Sequence, residues 1–248
     1  MLFDKIVYGP IHSRRLGVSL GVNLMPTTHK LCTFDCIYCE CGWNEPVMRP
    51  TLPTRSDVYD ALEDNLKNMS SPLDVITFSG NGEPTLHPEF EGIIEDACDL
   101  RDKYCPQAKV SVLSNSTQLV RADVVRALKH ADNRILKLDS AIDSTMRLID
   151  RPVNKELTVE KIIRLLEQFE GDFTLQTCFL RGNGIDNTTE SELQAWYRVV
   201  EHLRPKQVMI YVIDRATPMQ GLEKIEVEKM QAIAEELKKR GTEVMISL

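Results

Sequence analysis

The feature that most constrains the fold of this chain is a repeated alternation of apolar, strand-like runs with amphipathic helical segments. A first strand is predicted at 17–24, and later strands are predicted at 75–79, 110–113, 135–138, 173–180, 208–213 and 244–246. Helices with one apolar face are predicted to open near Ser56, Pro88, Ala122, Pro152, Thr189 and Val227. Such alternation predicts parallel βαβ units, which right-handed crossovers curl into a partial barrel. We therefore expect an α/β fold with a partial (β/α)6 TIM-like barrel.

The chain length and composition limit the class of protein. The 248 residues suit a single domain of barrel size, and 42% hydrophobic with 27% charged residues is typical of a globular protein. No apolar run approaches the roughly 18 residues of a membrane span, and residues 1–16 lack a signal-peptide core. We therefore expect a cytoplasmic protein that does not contact a membrane. The layout is one domain over 1–248, with an N-terminal extension at 1–16 and an irregular connector at 44–55.

The net charge of −7 bears on the partners of the protein. A nucleic-acid-binding protein usually carries a basic footprint, because binding neutralises backbone phosphates. This chain has none in bulk. The charge argues against DNA and weakens the case for a tRNA substrate.

Three of the seven cysteines lie close together in the segment 31–42, as Cys32-x3-Cys36-x2-Cys39. An odd number of cysteines with this grouping favours reduced thiols and metal binding over disulfides. A structural zinc site usually collects two separated ligand pairs, and the second pair is missing here. Iron–sulfur clusters are held by grouped cysteine thiolates, and three of them leave one iron of a four-iron cluster open. Cys41 is interpreted as a loop thiol rather than a fourth ligand.

Polar, glycine-bearing clusters follow the predicted strands, where ligands bind in barrels of this kind. Gly80, Asn81, Gly82 and Glu83 follow the strand at 75–79; the glycines allow close backbone approach and Glu83 offers an acceptor. The alternative is a plain Gly-Asn-Gly turn. Ser114 and Asn115 follow the next strand, where they either bind a ligand or cap the next helix.

The later strands carry further candidates. Lys137 and Asp139 are two residues apart and share a strand face, where they are either liganded or form a buried ion pair. Other candidates are Gln176 and Arg181 on the strand at 173–180, Val212 as an apolar cofactor contact, and, on the substrate side, Arg15 and Arg215. Cys178 is interpreted as a core residue.

The cysteine spacing, with Tyr38 directly before Cys39, resembles the cluster motif of the radical S-adenosylmethionine (radical SAM) superfamily. The segment Tyr8–Gly21 resembles the stand-alone Fe–S oxidoreductase branch, which is related to wyosine-tRNA synthases. The resemblance implies a partial barrel of the radical SAM type and a [4Fe–4S] cluster on Cys32, Cys36 and Cys39. It also implies that the open iron binds S-adenosylmethionine and that one electron cleaves it to a 5′-deoxyadenosyl radical, which abstracts hydrogen from a substrate.

The same resemblance assigns roles to the strand-end residues. Gly80, Gly82 and Glu83 would bind the ammonium of S-adenosylmethionine, with Asn81 where a glycine is more usual. Ser114 and Asn115 would meet its ribose or carboxylate, and Lys137 and Asp139 its ribose; Tyr38 is expected to contact the cofactor.

The resemblance leaves the substrate open. The expected partners are an electron donor such as flavodoxin or ferredoxin and an unidentified substrate, which is a small molecule, a nucleotide or a protein. Alternatives are a tRNA-base-modifying, wyosine-like enzyme, an activase of a partner protein, and a non-catalytic Fe–S or zinc protein.

Overall fold

The computed structural model describes residues 2–46 and 50–248. Met1 and residues 47–49, which belong to the predicted extension and connector, lie outside the described residues. The chain forms two compact units. Unit 1 comprises Met1–Cys32 with Asn44–Ile135, and unit 2 comprises Thr33–Trp43 with Leu136–Leu248. The extent of a single domain over 1–248 stays a prediction.

Unit 1 is a sheet covered by helices. Its strands are β1 (Val7–Ser13), β2 (Gly17–Val22), β3 (Val75–Phe78) and β4 (Lys109–Ser114), in that order. Its helices are α1 (Arg55–Lys67), α2 (Phe90–Tyr104) and α3 (Ala122–His130). Strands β2, β3 and β4 are parallel, with Leu20 opposite Ile76 and Ile76 opposite Val110. Strand β5 (Asn133–Lys137) starts in unit 1 and ends in unit 2.

The sequence explains why these elements form. All residues of β3 are buried, as expected for an apolar strand in a parallel sheet with both faces covered. Helix α1 begins after a complete capping box, in which the Thr54 side chain accepts from Asp57 N and Asp57 accepts from Thr54 N at 2.8 Å. Val58, Leu62 and Leu66 then form its buried face.

The strand β1 was not predicted, because residues 1–16 are interpreted above as an extension. It pairs antiparallel with β2, and the register shifts between Tyr8 and Ile11. Four consecutive residues of β1, from 9 to 12, are exposed. An edge strand with an irregular register and exposed side chains shows little of the apolar alternation from which strands are predicted.

Unit 2 contains the remaining elements. Its helices are α4 (Asp143–Asp150), α5 (Val159–Leu166), α6 (Glu190–Leu203) and α7 (Val227–Lys239). Its strands are β6 (Thr174–Gly182), β7 (Ile185–Asp186), β8 (Gln207–Val212), β9 (Glu223–Lys224) and β10 (Val244–Ser247). Strands β6, β8 and β10 are parallel neighbours, while β7 and β9 pair antiparallel with the end of β6.

Helix α4, like the short strands β7 and β9 of unit 2, was not among the predicted elements. Its N-cap, Ile142, makes no side-chain capping bond, and the helix ends at Arg151 in a left-handed conformation (φ 45°) rather than at a glycine. Both usual boundary signals are therefore absent. The carbonyls of Ile149 and Asp150 accept from the N–H groups of Ile37 and Asp35, both at 2.9 Å. Tertiary bonds thus cap this helix.

The predicted fold class is confirmed at the level of each unit, where helices alternate with parallel strands in an α/β arrangement. Most predicted elements agree with the observed ones within a few residues. The predicted helix start at Thr189 is confirmed: the Thr189 side chain accepts from Glu192 N, and the Glu192 carboxylate accepts from Ser140 and Thr145. Within 2–46 and 50–248, no helix is long and apolar enough to cross a membrane.

Candidate functional site

Two of the three motif cysteines lie in unit 2, on a loop that is bonded to the end of α4. Asp35 and Ile37 donate their backbone N–H groups to Asp150 and Ile149, so Cys36 is held from both sides. Cys36 is 8% exposed, and its Sγ lies 3.6 Å from Asp150 Oδ1. Cys39 N donates to Cys36 O at 3.0 Å, which makes the two cysteines part of one turn.

Behind this loop lies a buried group of charged side chains that we name the Lys137 network: Lys137, Asp139, Asp150 and Tyr38. Lys137 Nζ forms ion pairs with Asp139 and, at 2.6 Å, with Asp150 Oδ1. Lys137 also donates to Tyr38 OH at 2.7 Å, and Tyr38 OH donates to Asp139 Oδ2 at 2.5 Å. The side chains of Asp139 and Asp150 are 1% and 2% exposed. The structure thus shows the ion pair that was one of the two expectations for Lys137 and Asp139.

The proton affinities of this network follow from burial and from its charges. Burial raises the pKa of Asp150 to about 7, with Lys137 lowering it and Asp139 raising it. Burial acts to lower the pKa of Lys137, but Asp139 and Asp150 outweigh it and raise that pKa well above its usual value. Burial, followed by the charge of Asp139, raises the pKa of Tyr38. Lys137 is therefore a permanent cation that holds two carboxyl groups.

Asp150 was not predicted as part of the site. It is the last residue of α4, a helix that carried no boundary signal, and its partner Lys137 lies on a different element. The one sequence signal was the position of Asp150 two residues before Pro152, where a helix is expected to end.

The third motif cysteine, Cys32, lies in unit 1. Its backbone is fixed by Asn44, whose Oδ1 accepts from Cys32 N at 3.1 Å and whose Nδ2 donates to Cys32 O at 3.2 Å. Asn115 Nδ2 donates to Cys32 Sγ at 3.5 Å. Asn115, which was predicted to contact S-adenosylmethionine, thus contacts the thiol of Cys32, which was predicted to bind the cluster.

Asn115 belongs to a second buried group, the Glu83 network, formed by Glu83, Thr85, Ser114 and Asn115. The Glu83 carboxylate accepts from Thr85 N at 3.2 Å, Thr85 Oγ1 at 2.5 Å, Ser114 Oγ at 2.8 Å and Asn115 N at 2.7 Å. Glu83 is 2% exposed. Burial raises the pKa of Glu83, and the bonds from Asn115, Thr85 and Ser114 act in the opposite direction. Glu83 therefore organises the end of β4.

The close approach of a neighbouring backbone segment explains why position 82 is a glycine. Gly82 has φ +148°, and a Cβ built there would lie 1.7 Å from Leu31 O. Leu31 forms a parallel bridge with Gly82, and Glu83 N donates to Leu31 O at 3.0 Å. Gly82 thus brings the residue before Cys32 onto the end of β3.

Asn81 is fully buried, and its polar atoms are used within the protein. Its Nδ2 donates to Phe3 O and Pro26 O, and its Oδ1 accepts from Phe3 N. Its backbone N–H donates to Asn23 Oδ1 at 3.0 Å. These bonds argue against direct ligand contact by the Asn81 side chain.

The substrate-side role of Arg15 stays a prediction, and its backbone lies near the amino ends of the parallel strands of unit 1. Arg15 lies in the turn before β2, while Val18, near the start of β2, bonds to Asp74 before β3. Glu83 follows the opposite, carboxyl end of β3. Arg15 therefore lies at the edge of the parallel sheet away from the strand ends where ligands bind.

The other two predicted arginines lie on the surface of unit 2 in ion pairs. Arg181 pairs with Glu223 at 2.9 Å and with Glu226 at 2.5 Å, and Arg215 pairs with Glu40 of the motif loop at 2.6 Å. The anionic groups that Arg181 meets are thus glutamates of its own chain.

Gln176 and Val212 lie inside unit 2. Gln176 Nε2 contacts Met209 Sδ at 3.4 Å, and Val212 is the last residue of β8, opposite Phe179. The cofactor roles of both residues stay predictions.

The chemistry of the donor set fits an iron–sulfur cluster. None of the seven cysteines, all of which the structure describes, forms a disulfide, and Cys32 and Cys36 each contact a polar side chain of a neighbouring element. Within the described residues, no three His, Cys, Asp or Glu side chains group closely enough to hold a single metal ion. Cluster cysteines bind different irons, so thiols that hold a cluster need not converge on one point.

Comparison with known proteins gives both sequence and structural matches. The family model described as the radical SAM superfamily matches residues 27–200. A UPF0026 protein of Helicobacter pylori strain 26695 is 30% identical over 213 residues, covering 85% of this chain and 67% of that protein. A protein of Brachyspira hyodysenteriae named GTPase Obg is 31% identical over 238 residues, covering 93% of this chain and 33% of that protein.

Solved structures share the fold at low identity. SuiB of Streptococcus suis bound to S-adenosylmethionine matches with a TM-score of 0.68 and 12% identity, over 92% of this chain and 50% of SuiB. TYW1 with a lysine–pyruvate adduct matches with a TM-score of 0.67 and 15% identity, over 91% of this chain and 74% of TYW1. These matches confirm the predicted partial barrel of the radical SAM type.

The chain spans about half the length of SuiB and a third of the Brachyspira protein. The family model nevertheless covers most of this chain and includes all three motif cysteines. This chain belongs to the radical SAM superfamily.

Proposed function

We propose that this protein is a radical SAM enzyme whose Cys32, Cys36 and Cys39 hold a [4Fe–4S] cluster. When bound and reduced, the cluster supplies the electron that cleaves S-adenosylmethionine to methionine and a 5′-deoxyadenosyl radical, which abstracts hydrogen from a substrate. The observation that carries the proposal is that polar side chains contact two of the three motif thiols. Within the matched region, Cys32 is contacted by Asn115 at 3.5 Å and Cys36 by Asp150 at 3.6 Å.

The residues of this chain have three tasks in the proposal. Asn115 orients the Cys32 thiol, and the Glu83 network fixes Asn115 through its backbone N–H. The Lys137 network fixes Asp150 beside Cys36 and restrains Tyr38 next to Cys39. The proposed contacts for S-adenosylmethionine remain Tyr38, Gly80, Gly82, Glu83, Ser114, Asn115, Lys137, Asp139, Gln176, Arg181 and Val212.

The experiment is anaerobic reconstitution with iron and sulfide, followed by dithionite and S-adenosylmethionine. We expect a brown protein that releases methionine and 5′-deoxyadenosine. Cys36→Ala should lose both colour and cleavage. Cys41→Ala is the matched control, and it should retain both, since Cys41 lies in the same loop but outside the motif. A colourless protein with stoichiometric zinc, or turnover retained by Cys36→Ala, would contradict the proposal.

The substrate class is proposed only as a hydrogen-atom donor. TYW1 and SuiB share the fold at only 15% and 12% identity, so the substrate of neither protein can be assigned to this chain. The relation to wyosine synthases stays a prediction. The net charge of −7 provides no bulk basic footprint for tRNA. Transfer of deuterium from a labelled cell extract into 5′-deoxyadenosine would identify the donor fraction, and digestion of that fraction with nuclease or protease would distinguish nucleotide from protein.

A further inference from the structure

A short segment of unit 2 combines an unusual charge with a direct connection to the motif loop. Residues 147–155 contain three basic side chains, Arg147, Arg151 and Lys155, and one acid, Asp150. Asp150 is buried in the Lys137 network. The outward charge of this segment is therefore positive in a chain of net charge −7. We name Arg147, Arg151 and Lys155, with the neighbouring Leu148 and Val153, the α4 basic patch.

No carboxylate of the described residues 2–46 and 50–248 forms an ion pair with the cations of the α4 basic patch. Arg147 donates to the carbonyl of Lys155, Lys155 Nζ donates to Pro152 O at 3.0 Å, and the Arg151 guanidinium lies 4.6 Å from the centre of the Trp43 ring. Among the residues that the structure describes, none of the three forms an ion pair.

Among the described residues, some surface arginines elsewhere in unit 2 are paired, whereas the exposed Arg198 and Arg204 form no ion pair. Arg181 pairs with Glu226 at 2.5 Å, and Arg240 pairs with Glu201 at 2.6 Å. An uncompensated group of cations on an acidic protein is a local attractor for negative charge.

The α4 basic patch also exposes aliphatic surface. Leu148 is 53% exposed and Val153 is 62% exposed, which places both among the few exposed large hydrophobic side chains of the described residues. Apolar side chains within a charged rim are typical of protein–protein interfaces. A nucleic-acid site instead relies on cations and stacking aromatics. The composition of the patch therefore favours a protein partner.

The patch is the outer surface of the same segment that holds Cys36. Asp35 N donates to Asp150 O, Ile37 N donates to Ile149 O and Val153 N donates to Thr33 O, each at 2.9 Å. Asp150 Oδ1 adds the contact to Cys36 Sγ at 3.6 Å. The segment that carries the patch is thus bonded directly to the motif loop through backbone hydrogen bonds.

We propose that the α4 basic patch docks a small acidic electron-carrier protein and that the electron enters on the Cys36 side of the motif loop. The inference rests on the proposed function. One electron leaves the reduced centre of the carrier, which is oxidised by one electron, and passes to the cluster, which is reduced by one electron. No bond forms or breaks in this step. Charge complementarity accelerates the encounter and the exposed aliphatic side chains supply the contact.

The test uses the reconstituted protein and, as probe, an acidic flavodoxin. Binding is measured by anaerobic calorimetry, and cluster reduction by the flavodoxin hydroquinone is followed by stopped-flow absorbance. The double variant Arg151→Glu/Lys155→Glu should weaken binding by at least about tenfold and slow reduction to a similar degree. Rising ionic strength should weaken binding to the unaltered protein.

A matched control changes the same number of charges elsewhere in unit 2. Lys238 and Lys239 at the end of α7 are exposed and form no ion pair among the described residues. Lys238→Glu/Lys239→Glu should bind flavodoxin as the unaltered protein does. Val153→Glu is a second test variant, because the backbone bond from Val153 N to Thr33 O does not involve its side chain.

The outcomes separate this inference from the proposed function. Dithionite reduction and 5′-deoxyadenosine release should be unchanged in the patch variants, while flavodoxin binding and reduction are lost. If dithionite-driven cleavage fails in the unaltered protein, the proposed function fails. The docking inference is overturned if flavodoxin does not bind the unaltered protein or if the control weakens binding as much as the patch variant. It is also overturned if the patch variants lose tRNA binding and keep flavodoxin binding.

Discussion

The Glu83 network in unit 1 and the Lys137 network in unit 2 both bury carboxyl groups beside a motif cysteine, but they satisfy them differently. Glu83 accepts four hydrogen bonds from uncharged donors, and among the described residues no cation pairs with it. Asp139 and Asp150 share the single cation Lys137. The first network is a set of local bonds around one strand end, while the second depends on one charge that joins separate elements.

This difference has an energetic consequence. A buried carboxylate that loses its cation keeps an uncompensated charge, whereas a network of neutral donors loses hydrogen bonds one at a time. Loss of the single cation Lys137 should therefore cost much stability at once. Loss of hydrogen bonds in the Glu83 network should lower the free energy of unfolding in smaller amounts.

Lys137→Met should be the most destabilising change. It leaves Asp139 and Asp150 buried without their cation, which costs about 3–5 kcal/mol in the free energy of unfolding. Urea unfolding of the cluster-free protein measures it. Lys224→Met removes an exposed pair with Asp214 in the same unit and serves as the control, with an expected cost below about 1 kcal/mol. Equal costs for the two variants would remove the contrast between buried and exposed pairs.

Glu83→Ala should have a smaller but clear effect. It leaves buried donors at Ser114, Asn115 and Thr85 unpaired, at roughly 1–3 kcal/mol in the free energy of unfolding. Urea unfolding measures this change as well. The control Glu91→Ala removes an exposed partner of Arg126 in unit 1, and its effect should be much smaller. A cost for Glu83→Ala above that of Lys137→Met would reverse the order expected here.

The smallest effect concerns pH. Burial raises the pKa of Glu83 above its ordinary value of 4.5. For a group with a raised pKa in the folded state, the stability it contributes is present below the unfolded pKa and is lost as pH rises through the folded pKa. The stability difference between the unaltered protein and Glu83→Gln should therefore shrink as pH rises above about 4.5. Urea unfolding over a pH series measures this difference, and a constant difference would contradict the raised pKa.

The same two networks show how far the sequence could predict the site. Lys137 and Asp139 lie two residues apart on one strand, so strand alternation alone placed them on one face. Glu83 was found because it follows a strong apolar strand and two glycines. Such local patterns also predicted the parallel strands and most of the helices.

The missed features depend on contacts between distant segments. Asp150 lies at the end of a helix that is capped by the motif loop rather than by its own sequence, so no local pattern marks it. Arg181 and Arg215 were predicted from their charge and their positions at strand ends, and the glutamates that pair with them, at 223, 226 and 40, are distant in sequence. Strand β1, which precedes the turn of Arg15, was not predicted because it is an exposed edge strand.

The most direct test of the central claim is Mössbauer spectroscopy of protein reconstituted with 57Fe, with and without S-adenosylmethionine. If Cys32, Cys36 and Cys39 are the protein ligands of a [4Fe–4S] cluster, one iron of the four has no cysteine ligand. The signal of about a quarter of the iron should then shift when S-adenosylmethionine is added, while the remainder stays unchanged. Four equivalent irons that do not respond to S-adenosylmethionine would contradict the account.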